Sequence, residues 1–210
     1  MWIDIVRIHL QRTPEYALVA VATTGAEGIA LARQHRPAVV LLDLWLPDCD
    51  GFTLVESLQA IEPMPRLLLF TGRQDEATLY RIERGNFAGV IWKDPRAPAR
   101  LTEALGEIHV GRSYFPPDVR AALRHFRTAP DGFFKRLSDT EISLLGYLGY
   151  GLADAEIGER TGLAASTVKS HRKHIMQKLD LHSTADLMRW SAQKGFGHLW
   201  LPGPPCAVPR

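Results

Sequence analysis

The chain reads as two architectures in succession: an open parallel α/β sheet flanked by helices, then an all-α unit of four helices. Three observations predict this. Over the first half, short continuous runs of Val, Leu and Ile alternate with helix-length segments, the pattern of strands covered on both faces. From Leu137 onward such runs vanish, and helix caps and stops follow one another. The 210 residues suffice for two small domains, and 46% hydrophobic against 23% charged residues suits packed cores rather than a disordered chain.

In order along the chain, Ile3, Val6 and Leu10 are spaced three and four apart and predict a helix running to Thr13-Pro14. Strand-sized runs follow at Ala17–Ala22, Ala38–Asp43, Arg66–Thr71 and Ala88–Trp92. Between and after them lie helix candidates at Gly25–Gln34, Thr53–Gln59, Asp75–Arg84 and Pro98–His109, which makes repeated βαβ units. Residues 1–110 form this first domain. Residues 111–134 read as a linker, with Phe115-Pro116-Pro117, a basic helix-like stretch and the turn Pro130-Asp131-Gly132.

Residues 135–198 form the second domain. Ser138 with Glu141 three residues on is a capping box for a helix ending near Tyr150. Asp154–Thr161 is a short helix closed by Gly162, Ser166 is placed to cap Thr167–Leu179, and Ser183–Lys194 stops at Gly195. Residues 199–210, rich in proline, are expected to be a disordered tail.

Several classes of protein are excluded at this level. The longest apolar stretch, Ala38–Leu46, is broken by Asp43 and falls well short of the roughly 18 residues of a membrane helix. Met1-Trp2-Ile3-Asp4 has no basic region followed by an apolar core, the mark of an export signal. Cys49 and Cys206 make no disulfide framework or metal knuckle. A reduced, cytoplasmic protein with no membrane partner is the expectation.

The net charge of +2 is unevenly placed. Residues 1–130 are balanced, whereas Ser166–Lys178 carries Lys169, Arg172, Lys173 and Lys178 with no acid. A basic helix after a short helix and the turn Gly162-Leu163-Ala164-Ala165 has the form of a helix-turn-helix. Val168, Ile175 and Leu179 make its inward stripe. Lys169, Ser170, Lys173 and Gln177 lie away from that stripe, as groups suited to base edges. Thr167, His171, Arg172 and Lys178 flank them and suit phosphates. His171 and His174 are spaced as metal ligands can be, but no Cys or carboxylate accompanies them.

Leu137-Ser138-Asp139-Thr140-Glu141, Gly151–Gly158, Thr167-Val168-Lys169-Ser170-His171, Ile175–Leu179 and Ser183–Leu187, all in register, resemble the LuxR-type helix-turn-helix. The resemblance implies double-stranded DNA as partner, with Lys169, Ser170 and Lys173 at base-reading positions. It also implies a homodimer through the last helix.

At the front end, Asp43 closes one apolar run, Phe70-Thr71-Gly72 the next, and Ile91-Trp92-Lys93 the one after. A carboxylate, a hydroxyl and an ammonium at three successive strand ends suit a phosphoryl-acceptor site, because ligands of open parallel sheets bind at the strands' carboxyl ends. This constellation, with Gly111–Pro117, resembles the receiver domain of NarL/FixJ-type response regulators, a flavodoxin-like fold. That resemblance implies Asp43 as phosphoacceptor, Thr71 and Lys93 as switch hydroxyl and phosphate-binding lysine, and a Mg²⁺ site using Asp43 and the Trp45 carbonyl. It also implies a sensor histidine kinase as partner and a second dimer contact through the receiver.

Two departures are visible. The receiver's first strand and the two adjacent acids that hold Mg²⁺ are absent, and Val90 stands where the family keeps an aromatic residue. Asp4 and Glu15 sit on or near the first helix, away from the strand ends. The reading is therefore an incomplete, atypical receiver on a DNA-binding regulator, with phosphorylation of Asp43 in doubt and no enzymatic activity. Two alternatives stay open. One is a conventional phosphorylated regulator whose start is truncated or misassigned. The other is an aspartate-nucleophile phosphatase, from Asp48-Cys49-Asp50-Gly51-Phe52-Thr53.

Overall fold

The computed structural model describes residues 1–196, so the proline-rich tail and Cys206 lie outside the described residues. Two compact units emerge, one made of residues 1–73 and 84–121, the other of 74–83 with the segment from 122 onward.

In the first unit, α1 (Trp2–Gln11) and α2 (Gly25–His35) precede a three-stranded parallel sheet of β1 (Val39–Leu42), β2 (Arg66–Thr71) and β3 (Gly89–Trp92), in that order. A 3₁₀ turn (Gly51–Leu54) runs into α3 (Val55–Gln59) between β1 and β2, and α5 (Ala97–His109) follows β3. Register fixes Leu42 opposite Leu69 and Thr71 opposite Trp92, so all three strands end on one edge. Leu68, Phe70 and Ile91 pack with Ala97, Leu101, Ala104 and Ile108 of α5, and Trp2, Val6 and Leu10 of α1 close that layer. The i, i+4, i+7 spacing of the α5 residues and the period-2 alternation of the strand are what bring these faces together.

The expected strand at Ala17–Ala22 does not form. The run joins no ladder, and Leu18 and Val19 are 42% and 53% exposed. A parallel strand exists only through its neighbours' hydrogen bonds, and among the described residues no strand lies beside this one. The two sheet edges differ accordingly. At β3, Val90 donates to the Tyr114 carbonyl and Tyr114 donates to that of Ala88, which pairs the linker alongside. At β1, Val39, Val40 and Leu41 stay half-buried.

The second unit contains α7 (Phe133–Arg136), α8 (Asp139–Gly149), α9 (Asp154–Thr161), α10 (Ala165–Leu179) and α11 (Thr184–Lys194). The Ser138–Glu141 capping box is formed, and Gly162 and Gly195 end their helices in the left-handed region, as expected. The cap of α10 differs: the helix starts two residues earlier than predicted, at Ala165, with Ala164 at its N-cap and no side-chain cap. Helix α6 (Pro117–Thr128) fills the predicted basic stretch of the linker.

Helix α4 (Glu76–Arg84) falls between two strands in sequence, yet all but its last residue groups with this helical unit. The Tyr80 ring packs on Phe133, its hydroxyl donates to Asp139, and Lys194 ion-pairs with Glu76.

Candidate phosphoacceptor site and nucleic-acid interface

Asp43 follows the last residue of β1 and Lys93 the last residue of β3, with Thr71 ending the strand between them. The Lys93 ammonium is ion-paired with Asp43 Oδ2, while the Trp45 amide donates to Asp43 Oδ1 at 3.1 Å. Thr71 is buried, and its hydroxyl accepts the Arg73 amide at 3.1 Å. The three expected side chains thus end their strands on one edge, and two of them touch. Gly51 is required beside them, because a Cβ there would lie 2.2 Å from the Asp43 carbonyl oxygen.

A divalent cation needs more donors than this edge supplies. Mg²⁺ sites use octahedral oxygen ligands with one or two carboxylates. Among the described residues no group of three metal-ligating side chains exists, and Asp43 already faces an ammonium. Asp4 is exposed and pairs with the chain's amino terminus at 3.1 Å. The residues described therefore do not by themselves fit a Mg²⁺ site at Asp43 and the Trp45 carbonyl.

The acids of the Asp48–Thr53 segment have structural work. Asp48 accepts the Gly25 and Ala26 amides at 2.8 and 3.2 Å and so caps α2. Burial pushes the Asp48 carboxyl up, but those two amides, with its own amide and Cys49, outweigh it and hold it below the usual range. Asp50 accepts the Phe52 amide at 3.0 Å at the head of the 3₁₀ turn. Sequence reasoning missed one neighbour of the site: the Arg73 guanidinium lies 5.8 Å over the ring of Trp45, which is 63% exposed. No periodic signal links positions 45 and 73.

In the helical unit, α9 and α10 pack closely because Gly158 leaves room for the turn. A Cβ at that position would sit 2.6 Å from the Leu163 carbonyl oxygen. The stripe Val168, Ile175 and Leu179 is buried as predicted. Thr167, Lys169, Ser170, Lys173, His174 and Gln177 are exposed, and His171 is half-buried.

Two of the expected phosphate contacts are placed otherwise. The Arg172 Nε and a terminal nitrogen donate to Asp154 Oδ1 at 2.9 and 2.7 Å, and that terminal nitrogen also donates to the Leu152 carbonyl at 3.0 Å. Lys178 donates to both Glu141 oxygens at 2.9 and 2.7 Å. Both cations are committed to the domain's own frame, because the acids they meet lie on α8 and α9, across a tertiary contact that helix-face sorting does not include. Burial raises the Glu141 carboxyl, and the Lys178 ammonium and Ser138 donors outweigh it, so it stays ionised below the usual carboxylate range.

Two family models match the chain. Residues 2–106 match the response regulator receiver domain, and residues 135–191 match the bacterial regulatory proteins of the luxR family. The oxygen regulatory protein NreC of Staphylococcus carnosus is 30% identical over 188 residues, covering 84% of this chain and 85% of that protein. The chain belongs to the NarL/FixJ response regulators. The nitrate/nitrite response regulator protein NarL of Escherichia coli is 28% identical, over 88% of this chain and 87% of that protein. RcsB from Salmonella enterica serovar Typhimurium, solved bound to a promoter in the presence of a phosphomimetic, shares the fold with a TM-score of 0.64. It has 22% identity over 90% of this chain and 92% of that one. As a member of this family the chain is a DNA-binding transcription regulator, and no helix among the described residues is long and apolar enough to cross a membrane.

Proposed function

We propose that this NarL/FixJ regulator reads a promoter through the outer face of α10, acting in the cytoplasm as a homodimer paired through α11. The observation that carries the reading is the sorting of α10. Its apolar stripe is sunk into the domain, while Lys169 and Lys173 project exposed beside Thr167, half-buried His171 and Ser170, whose hydroxyl donates to the Ser166 carbonyl at 3.0 Å. Lys169, Ser170 and Lys173 contact bases, whereas Thr167 and His171 contact phosphates. Arg172 and Lys178 hold the frame that presents them. On α11, Ala185, Met188 and Ala192 form an exposed apolar strip at i, i+3 and i+7 beside Arg189, which pairs with Asp186 at 3.6 Å, a small face suited to a two-fold partner. Lys169→Ala and Lys173→Ala are each expected to weaken specific binding by about 1–3 kcal/mol in a salt-titrated assay. Unchanged affinity in both variants removes α10 as the reading element.

The input domain, residues 1–110, works without Mg²⁺-dependent phosphorylation of Asp43. Among the described residues no cluster of metal-ligating side chains gathers at Asp43, its charge is met by Lys93, and the fully buried Val90 offers no aromatic ring to reorient. A second reading has its own support: Asp43, Thr71 and Lys93 stand at three adjacent strand ends with Lys93 on Asp43, and the structural neighbour RcsB is a two-component response regulator. On that reading a sensor histidine kinase supplies the phosphoryl group. Incubation with a small phosphodonor and Mg²⁺ separates the two. Absence of label supports the first, and robust label abolished by Asp43→Asn establishes the second.

A further inference from the structure

We propose that helix α6 and the adjoining turn of α7 form a second contact surface for DNA, one that grips the phosphate backbone without reading sequence. The proposal rests on the DNA-binding reading of α10 and extends the footprint beyond it. Residues 119–137 carry Arg120, Arg124, Arg127, Lys135 and Arg136 against one acid, Asp131. Helix α6 buries Val119, Leu123 and Phe126, spaced i, i+4 and i+7. Arg120, Arg124 and Arg127 repeat that spacing one residue on, so they form a single ridge beside the buried face.

Arg127 is paired with Glu83 at 3.5 Å. Arg120, Arg124 and Arg136 are exposed and form no ion pair among the described residues. Lys135 bonds the Ala129 carbonyl at 2.7 Å and reaches over the Phe134 ring.

The ridge is not accounted for by the helix's own needs. Basic side chains belong in a helix's last turn, where they meet the negative end of its dipole, which covers His125 and Arg127. Arg120 sits near the opposite end, where a positive charge is disfavoured, and Arg124 sits mid-helix. The acid of that first turn, Asp118, is already taken by Arg100 through two bonds at 2.9 and 3.0 Å.

Continuity with the reading helix also supports DNA as the partner. Helix α10 packs against α7, and α7 packs against α6 through Phe133 and Phe134 on Phe126, with ring centroids 6.2 and 4.5 Å apart. Residues 122–136, with Arg124, Arg127, Lys135 and Arg136, therefore share one compact unit with α10. From Arg120 to Arg127 the ridge runs about 10 Å at ~1.5 Å per residue, which matches roughly three phosphates of one strand at ~3.4 Å of duplex axis each. Guanidinium groups pair with phosphate oxygens in bidentate fashion, and the two unpaired ones of this ridge, Arg120 and Arg124, one helical turn apart, make a positioning clamp.

The test uses the full chain and two duplexes: one selected by the wild-type chain from a random-sequence pool, and one of mixed, unselected sequence. Association constants are measured across a salt series for the Arg120→Gln/Arg124→Gln double variant. The log–log salt slope is expected to fall by about 0.9 per arginine on both duplexes, with the preference between them intact. The Arg120→Lys/Arg124→Lys variant keeps the slope. Both positions are exposed, and matching thermal unfolding of the variants confirms an unchanged fold.

An unchanged slope in the glutamine variant, while Lys173→Ala still loses the preference, overturns the proposal and leaves the α10 reading standing. A lost preference with an unchanged slope also overturns it, because the ridge would then be reading sequence. If Lys169→Ala and Lys173→Ala bind as wild type, it is the α10 reading itself that fails.

Discussion

Replacing Arg172 by Ala separates a residue that holds the recognition helix from one that touches DNA. The Arg172 side chain is 14% exposed and places three hydrogen bonds, two on Asp154 and one on the Leu152 carbonyl. Hydrogen bonds to charged groups contribute about 1.5–3 kcal/mol, and breaking a buried ion pair costs about 3–5 kcal/mol. The Asp154 side chain keeps about a quarter of its surface in water, which recovers part of that loss. The expected cost is therefore about 2–3 kcal/mol, or roughly 10–20 °C in the melting of a domain of this size. Calorimetry of the full chain reads the transition of the helical unit, and a salt titration of duplex binding below that transition reads the phosphate contacts. The salt slope should stay at the wild-type value. A melting temperature within about 2 °C of wild type, together with a slope lowered by about 0.9, would refute the reasoning and return Arg172 to the phosphate backbone.

Three further outcomes follow from the same geometry. Because the folded Glu141 carboxyl lies below its unfolded value, its contribution to the helical unit is fully present above that unfolded value, near pH 4.5. It is lost as pH falls through the depressed one, so urea midpoints between pH 6 and 3 should decline less steeply in Glu141→Gln. Arg100→Met leaves Asp118 and Asp94 with Arg96 alone, 3.8 and 3.0 Å away, and should cost about 2–3 kcal/mol, the lower end for a buried pair because Arg96 remains and both acids are partly exposed. Amide exchange would show the first turn of α6 opening, and unchanged protection there would count against the clasp. Gly51→Ala places a methyl against the Asp43 carbonyl and should destabilise the input domain by about 1–3 kcal/mol in thermal unfolding.

Much of the fold is legible because the signals are local. The capping box at Ser138 and the stops at Gly162 and Gly195 are decided within four residues, and the structure forms each of them. The stripe of α10 is equally local, since Val168, Ile175 and Leu179 face one way in any helix. Strand existence is a different kind of property. Ala17–Ala22 has the composition of β2, but β2 has neighbours on both sides and Ala17–Ala22 has none among the described residues. Composition describes what a segment can bury, and the ladder describes what is there to bury it against.

The candidate sites divide along the same line. Asp43, Thr71 and Lys93 could be grouped from sequence because parallel strands all end on one edge, so topology alone converts three strand ends into neighbours. On α10 the sequence distinguishes inward from outward faces, but four cations flank or occupy the outer face and look alike there. What separates Lys169 and Lys173 from Arg172 and Lys178 is the position of Asp154 and Glu141 on other helices. A basic residue is therefore assigned to DNA by what it lacks, an acid within reach inside its own domain. By that criterion Arg120 and Arg124 stand with Lys169 and Lys173, since none of the four has an ion-pair partner among the described residues. Counting charges on α10 thus includes two cations that are paired inside the domain and leaves out the two unpaired arginines of α6, a distribution that total charge, at +2, cannot register.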